Sequence, residues 1–490
     1  MMKILFIVEQ CNPEWPSVPL VAYNLWNALA KIADVHLVTH ARNRAALERK
    51  PWENESQEGV IYHDARKIDY IEESYCIRQY YKGLAYIFDK LGTGWPLYHA
   101  LTYPVYASFD RAVYTRYSTA ICNGDYDIVH AFTPVLPRYP VKVARLACRQ
   151  KNVDMMQEHK ASTPFILGPV NGGLPYPKGF QDVQRKEGAH FNFLRHFSRY
   201  IPNYSTTYLN ATQIFVGSQY TMSMLESRFP EIKLRMSLFH ENGLTQNFYT
   251  NIQKIKEKFS TSQENESFST KNNKPLRLLF VGRLVPYKGV HFVLEALALY
   301  YAKLHNKDKN NTQHNSNEKV ELASNTLHKK ETYNTQTILT IVGDGPERQA
   351  LELQSKKLGL EHCVHFMGHQ KPQNMAKFYA AADIFVFPSI REFGGAVVLE
   401  AMANGLASIV VHHGGIGEYI DDLCGIRINP ISASYIIQEL SSSLLLLQNN
   451  RELIKELGIH AYKKSKNYAW SNKAALLMNE YKKALNAAVK

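Results

Sequence analysis

The stretch Val281-Gly282-Arg283-Leu284-Val285-Pro286-Tyr287-Lys288-Gly289 ends an apolar run with a glycine and sets two cations five residues apart ahead of an amphipathic segment. Glycine lets backbone approach a ligand closely. Arginine binds anions as a fork and lysine as a point charge, so the pair could bracket a diphosphate. Two solvated loop cations would give the same pattern. A second stretch, Glu392-Phe393-Gly394-Gly395-Ala396-Val397-Val398-Leu399-Glu400, continues through Ala403 and Asn404 to Gly405. It reads as a loop acid, a glycine pair opening a helix, a second acid inside that helix, and Gly405 as its stop. The free amides at the Gly394-Gly395 end would attract an anion by hydrogen bonding and helix dipole. Glu400 falls about one and a half turns further in, among apolar neighbours, where a buried carboxylate needs a donor. A ribose diol would serve, and so would a core arginine.

These groups need a scaffold, and the chain is long enough to build one. Its 490 residues are 45% hydrophobic and 21% charged, which excludes disordered, collagenous and coiled-coil classes and points to several packed domains. Lys plus Arg (57) outnumber Asp plus Glu (44), a net charge of +13 that favours an anionic partner without naming it. The six cysteines are scattered, with no Cys-x-x-Cys pair and no metal-like spacing to histidine, so a reducing compartment is expected. The apolar start, Ile4-Leu5-Phe6-Ile7-Val8, is too short for a signal-peptide core and reads as a buried parallel strand. A cytosolic or peripheral protein is the expectation.

Strand-like runs alternate with helical segments along most of the chain, giving an α/β reading with two doubly wound Rossmann-like halves. The first half is expected over residues 1–252 and the second over 276–471. The polar stretch 253–275 reads as a linker, and Asn306 to Thr335, almost without apolar residues, as a disordered insertion. Ligands of such sheets bind beyond the carboxyl ends of the strands, so the active site is expected between the halves.

The motifs Gly-Arg-x4-Lys-Gly, Val342-Gly343-Asp344-Gly345-Pro346-Glu347, Phe387-Pro388-Ser389 and Glu-x7-Glu occur in order within about 120 residues. Together they resemble the retaining nucleotide-sugar glycosyltransferases of family 4. The resemblance is strong from Leu276 to Pro430 and weaker before, through Asp127-Ile-Val-His130 and Glu241-Asn242-Gly243. It implies a GT-B fold whose C-terminal helix, 472–488, crosses back onto the first domain. It implies that Gly282, Arg283, Lys288, Gly343, Asp344 and Gly345 serve the donor, with Arg283 and Lys288 on its diphosphate. Glu400 would hold the ribose, Glu392 and Phe393 would face the donor sugar, and the Gly394, Gly395, Ala396 and Val397 amides would meet sugar and phosphates. His130 stands in the place of a histidine that contacts the sugar. No metal and no cofactor are implied beyond the nucleotide-diphosphate sugar as co-substrate. The chain departs from the family after its first strand, where Cys11-Asn-Pro-Glu-Trp-Pro-Ser-Val-Pro19 replaces a Gly-Gly loop. A later pair, in Asn171-Gly172-Gly173, is the expected acceptor-side loop.

The resemblance implies sugar transfer to a saccharide or lipid-linked saccharide hydroxyl in surface polysaccharide or glycolipid assembly. A glucan synthase or a nucleotide-sugar epimerase could share the fold. A dinucleotide dehydrogenase is disfavoured because Arg348 stands where its third glycine would be. A basic nucleic-acid-binding protein is supported by charge alone, and no nucleic acid is expected. The segment 178–200 mixes Lys178, Arg185, Lys186, Arg195 and Arg199 with Phe180, Phe191, Phe193, Phe197 and Tyr200. It could dock on anionic lipid at the cytoplasmic face or form a helix with one core face. The Tyr-rich region 75–117 carries the same two readings.

Overall fold

The computed structural model describes residues 1–49, 68–91, 101–132, 139–147, 163–186, 199–250, 255, 275–310 and 337–489. The chain divides into two compact units. The first comprises Met1–Leu174, Gln184–Gly243 and Ala469–Lys490, and the second Pro175–Val183 and Leu244–Tyr468.

The first unit holds a seven-stranded sheet in the order β3-β2-β1-β4-β5-β6-β7, every pairing parallel. The strands are β1 (Lys3–Ile7), β2 (Asp34–His40), β3 (Ile68–Ile71), β4 (Ile128–Ala131), β5 (Phe165–Val170), β6 (Gln213–Val216) and β7 (Met236–Leu238). Both faces of β1 are buried, which is why its sequence is a continuous apolar run and not an alternating one. Leu5, Ile7, Val129 and Ala131 enter one core, and Ile4, Phe6, Val8 and Ile128 the other. The second core is covered by the helices Val18–Leu29 and Trp470–Val489. In the latter, Trp470, Ala474, Leu477, Tyr481 and Ala484 recur at spacings of four and three, the apolar stripe of a helix lying on a sheet.

The second unit holds a six-stranded parallel sheet in the order β10-β9-β8-β11-β12-β13. Its strands are β8 (Leu276–Val281), β9 (Thr337–Val342), β10 (Val364–Phe366), β11 (Ile384–Phe387), β12 (Ala407–Val411) and β13 (Gly425–Ile428). The helices Val290–Asn310 and Ala433–Asn449 pack together beside it.

Three boundaries differ from those read in the sequence. The first unit gives way to the second at Gly243, not at 252, because residues 248–250 are already bonded into unit two. Asn404 Nδ2 donates to the Phe248 carbonyl, the Tyr249 hydroxyl to the Ser465 carbonyl, and the Thr250 amide to the Ala403 carbonyl. The return to unit one comes at Ala469 instead of 472. The helix starting at Val290 runs through Asn310, five residues into the expected insertion, since Lys and Asn lower helix propensity only modestly. The rest of that insertion, like 256–274 of the expected linker, lies outside the described residues.

The segment 178–200 is also divided. Lys178–Phe180 forms a 3₁₀ turn and Gln181–Lys186 a short helix, while 187–198 lie outside the described residues. Phe180 is buried edge-on against Phe292, so this ring serves the core of unit two.

Candidate active site

The carboxyl ends of β8, β9 and β11 in unit two carry nearly all the residues singled out in the sequence. Gly282 follows β8, and its amide donates to the Val342 carbonyl at 2.9 Å. Gly343 follows β9 with φ +137°, and a Cβ there would lie 1.9 Å from the Gly282 carbonyl oxygen. A Cβ on Gly345 would lie 2.3 Å from the Leu284 oxygen. The two loops therefore interlock backbone to backbone, and the Leu284 amide completes the contact by donating to the Asp344 carbonyl at 3.0 Å. The Gly-Asp-Gly stretch read as donor-binding acts here as a buttress for the Arg283 loop. The Asp344 carboxylate accepts from the Gly345 amide and pairs with Arg348 at 3.3 Å.

Held on that buttress, Arg283 is exposed and has no side-chain partner among the described residues. Lys288 ends the 3₁₀ turn Pro286–Lys288. Gly289 follows with φ +75°, its α-carbon so near the Pro388 carbonyl that a Cβ would fall 2.5 Å from it. Ile390 N–H and the Ser389 hydroxyl both donate to the Tyr287 carbonyl. This is what Phe387-Pro388-Ser389 does: it ties the end of β11 to the lysine turn. Lys288 consequently meets Glu392 in a close ion pair whose side chains are only 13% and 18% exposed, with the ammonium 4.9 Å over the Phe387 ring. Sequence spacing placed both residues near the donor but did not reveal that they neutralise each other.

Beyond Glu392, Gly394 and Gly395 turn into the helix Ala396–Ala403. Gly395 is the left-handed N-cap, with φ +45°, and no side chain caps the helix. The Val398 amide bonds back to the Gly395 carbonyl, which leaves the first-turn amides of Ala396 and Val397 without an intrahelical acceptor. Phe393 is half-buried, and its carbonyl abuts Gly415, where a Cβ would fall 1.8 Å away. Arg391 lies 5.0 Å from the ring of Tyr176, and His413 Nε2–H donates to the Pro175 carbonyl at 2.9 Å. The short Pro175–Val183 piece thus backs the Glu392 loop, a contact no local sequence signal announced. Four residues into the helix, the Glu400 carboxylate has its donor, the Tyr379 hydroxyl at 2.6 Å, in place of an arginine. Burial pushes the Glu400 pKa up and that hydrogen bond opposes the shift.

His130 is in the other unit. It is completely buried on β4, with Phe6 edge-on at 5.1 Å. Its Nε2–H donates to the Gly168 carbonyl at 2.7 Å and its Nδ1 accepts from the Tyr481 hydroxyl at 2.5 Å. Burial lowers its pKa to about 4. Both nitrogens are occupied and the ring is neutral, so His130 joins the C-terminal helix to the sheet. His130→Ala should lower the stability of unit one by about 2–4 kcal/mol, from a lost ring and a stranded Tyr481 hydroxyl, without changing nucleotide affinity. Urea unfolding and nucleotide titration check this; lost turnover at an unchanged urea midpoint would support the sugar-contacting role.

The loop after β5 is likewise occupied internally. Asn171, Gly172 and Gly173 are buried, Asn171 Nδ2 donates to Glu241 at 3.1 Å, and the Gly172 amide donates to the Thr221 hydroxyl at 3.0 Å. The Asn171 Nδ2 group thus links this loop to Glu241, while its Oδ1 is buried with no hydrogen-bond partner among the described residues. Among the described residues, no three His, Cys, Asp or Glu side chains are grouped to hold a metal ion.

The strand ends of unit two carry a cation with no side-chain partner among the described residues, a Lys–Glu ion pair and an uncapped helix start, and this part of the chain matches a known family model. Residues 261–464 fit the family model described as glycosyl transferases group 1. This stretch of unit two is similar to the group 1 glycosyl transferases. An uncharacterised glycosyltransferase of Methanocaldococcus jannaschii is 29% identical over 209 residues, which is 42% of this chain and 45% of that protein. The chain thus spans less than half the length of that curated relative. HepE of Anabaena, solved in complex with UDP, superimposes with a TM-score of 0.55 at 14% identity, covering 98% of this chain and 100% of HepE. The sucrose-phosphate synthase of Thermosynechococcus elongatus gives 0.54 at 17% identity, covering 99% and 100%. At these identities the likeness concerns the fold, which is GT-B. Arg283, Lys288, Glu392 and Glu400 fall within the matched span; His130 and Asn171 lie outside it.

Proposed function

We propose that the protein is a retaining family 4 glycosyltransferase, moving a sugar from a nucleotide diphosphate to a saccharide or lipid-linked saccharide hydroxyl in surface polysaccharide or glycolipid assembly. The observations that carry this reading are Arg283, which has no side-chain partner among the described residues, and the uncapped start of the helix Ala396–Ala403, both at strand ends of unit two. Fixed donors aimed at a departing diphosphate stabilise the charge that grows on it as the sugar bond breaks. Lys288 enters through its ion pair: an arriving diphosphate draws the ammonium toward phosphate and frees Glu392 to accept from a sugar hydroxyl. Gly394 and Gly395 keep side chains away from the sugar, and Glu400 accepts from the ribose. With Arg283, Lys288 and the helix amides offsetting the leaving group, the reaction needs no metal.

The bound UDP of HepE supports a nucleotide donor of this class. Free Cys11, Cys76, Cys122, Cys363 and Cys424 support a reducing, cytoplasmic setting. The helix Tyr75–Leu91 exposes Tyr75, Tyr80, Tyr86 and Ile87 near Arg78 and Lys82, which supports peripheral contact with an anionic membrane. Among the described residues no helix is long and apolar enough to cross one.

Proton NMR of the product formed in excess EDTA tests the chemistry. An anomeric configuration matching the donor's is expected; an inverted product, or turnover only after magnesium or manganese is restored, would overturn the reading.

A further inference from the structure

Glu400 is reached by one protein group whose only evident work is to hold it. Tyr379 lies in the helix Met375–Ala381, fully buried, with the Phe385 ring 6.3 Å away. Its hydroxyl donates to Glu400 Oε2 at 2.6 Å. The main chain of Glu400 is fixed separately, its carbonyl accepting from the Asn404 amide at 3.2 Å and from Asn404 Nδ2 at 2.8 Å. The helix therefore sets where Glu400 starts, and Tyr379 sets where its carboxylate ends. Oε1 has no partner among the described residues.

We propose that Tyr379 is a positioning residue for the donor: its hydroxyl orients the Glu400 carboxylate so that Oε1 is offered to the vicinal diol of the nucleotide's ribose. This rests on the reading of Glu400 as the ribose ligand. Burial works against the charged form of Glu400, and the Tyr379 hydrogen bond opposes it. The strands β11 and β12 and the helices Gly415–Tyr419 and Arg451–Ser465 pack against the helix of Glu400, and none adds a titratable or charged group to those acting on its carboxyl. Burial and the carboxylate push the Tyr379 phenol well above its ordinary range, so it remains a donor at any working pH. Removing the hydroxyl makes Glu400 easier to protonate, and a protonated Glu400 loses the charge-assisted part of its bond to the diol.

The test measures affinity for UDP, GDP and ADP, each against its 2′,3′-dideoxy analogue, on the full chain from about pH 5.5 to 8.5. The ratio within each pair isolates the diol contact, because phosphate ionisation affects both members alike. In the wild type the ratio should be at least about tenfold for the nucleotide that binds, falling as the pH drops through the Glu400 pKa. Tyr379→Phe, which keeps the ring and adds no cavity, should move that fall to higher pH. Replacing Tyr379 with 3,5-difluorotyrosine, a stronger donor of nearly the same volume, should move it to lower pH. Should Tyr379→Phe weaken both members of a pair equally, or leave the profile superimposed on the wild type while Glu400→Gln collapses the ratio to about one, Tyr379 merely fills space and the inference is overturned with the ribose reading intact. An unchanged ratio in Glu400→Gln would instead remove the ribose reading, and the inference with it.

Discussion

Arg283→Ala should lower kcat by roughly 10²–10³-fold, while nucleoside diphosphate affinity falls by about tenfold. The asymmetry follows from its surroundings. Lys288 already has Glu392 as counterion, so part of its charge is spent before a ligand arrives, whereas Arg283 has no side-chain partner among the described residues and its full charge is available as the diphosphate leaves. A group needed most in the transition state shows its loss in kcat. Lys288→Ala should behave differently, because it strands a mostly buried Glu392 carboxylate and weakens ground-state binding as well. Steady-state kinetics of both variants, beside nucleotide titrations, check this, and a wild-type kcat in Arg283→Ala would remove Arg283 from the reaction.

The largest effect from a single methyl group is expected at Gly343. Alanine there must occupy φ +137° and place Cβ 1.9 Å from a backbone oxygen that β8–β9 pairing holds in place. No side chain can move aside to relieve this contact, so the Gly282–Arg283 backbone must shift. We expect about 3 kcal/mol or more of lost stability in unit two and at least about a hundredfold loss of nucleotide affinity. Gly83→Ala is the control: it lies in the helix Tyr75–Leu91 with nothing within 4 Å of its Cβ position, and should be neutral or stabilise by about 0.5–1 kcal/mol. Urea midpoints and titrations of both variants decide it, and a Gly343→Ala protein that binds nucleotide like the wild type would show that the interlock does not hold Arg283 in place.

The contrast between Gly343 and His130 marks how far the sequence could be read. Fold class was legible because parallel strands buried on both faces must be continuous apolar runs, as Ile4–Val8 and Leu276–Val281 are. The short strands β3, β7 and β13 escaped notice because each has only three or four paired residues and partly polar sequence. Within the candidate site, residue types and spacing identified Arg283, Lys288, Glu392 and Glu400. They could not give their partners, because Lys288–Glu392 and Tyr379–Glu400 join side chains from different strand–helix units. A motif position also says nothing about burial: His130 fits a pattern, yet its second neighbour in space, Tyr481, lies 351 residues away. Likewise nothing local marks Pro175–Val183 as part of unit two, since its contacts with Arg391, His413 and Phe292 are all long-range.

The central claim is that unit two holds a nucleoside diphosphate through Arg283, the start of the helix Ala396–Ala403 and Glu400. Calorimetric titration of the full chain with UDP, GDP and ADP in EDTA, repeated with the matching monophosphates and with Glu400→Gln, tests it most directly. The account predicts that one diphosphate binds without metal, that its monophosphate binds at least about tenfold more weakly, and that Glu400→Gln costs a further factor of about ten. Equal affinity for mono- and diphosphate, or no binding of any of the three, would contradict it.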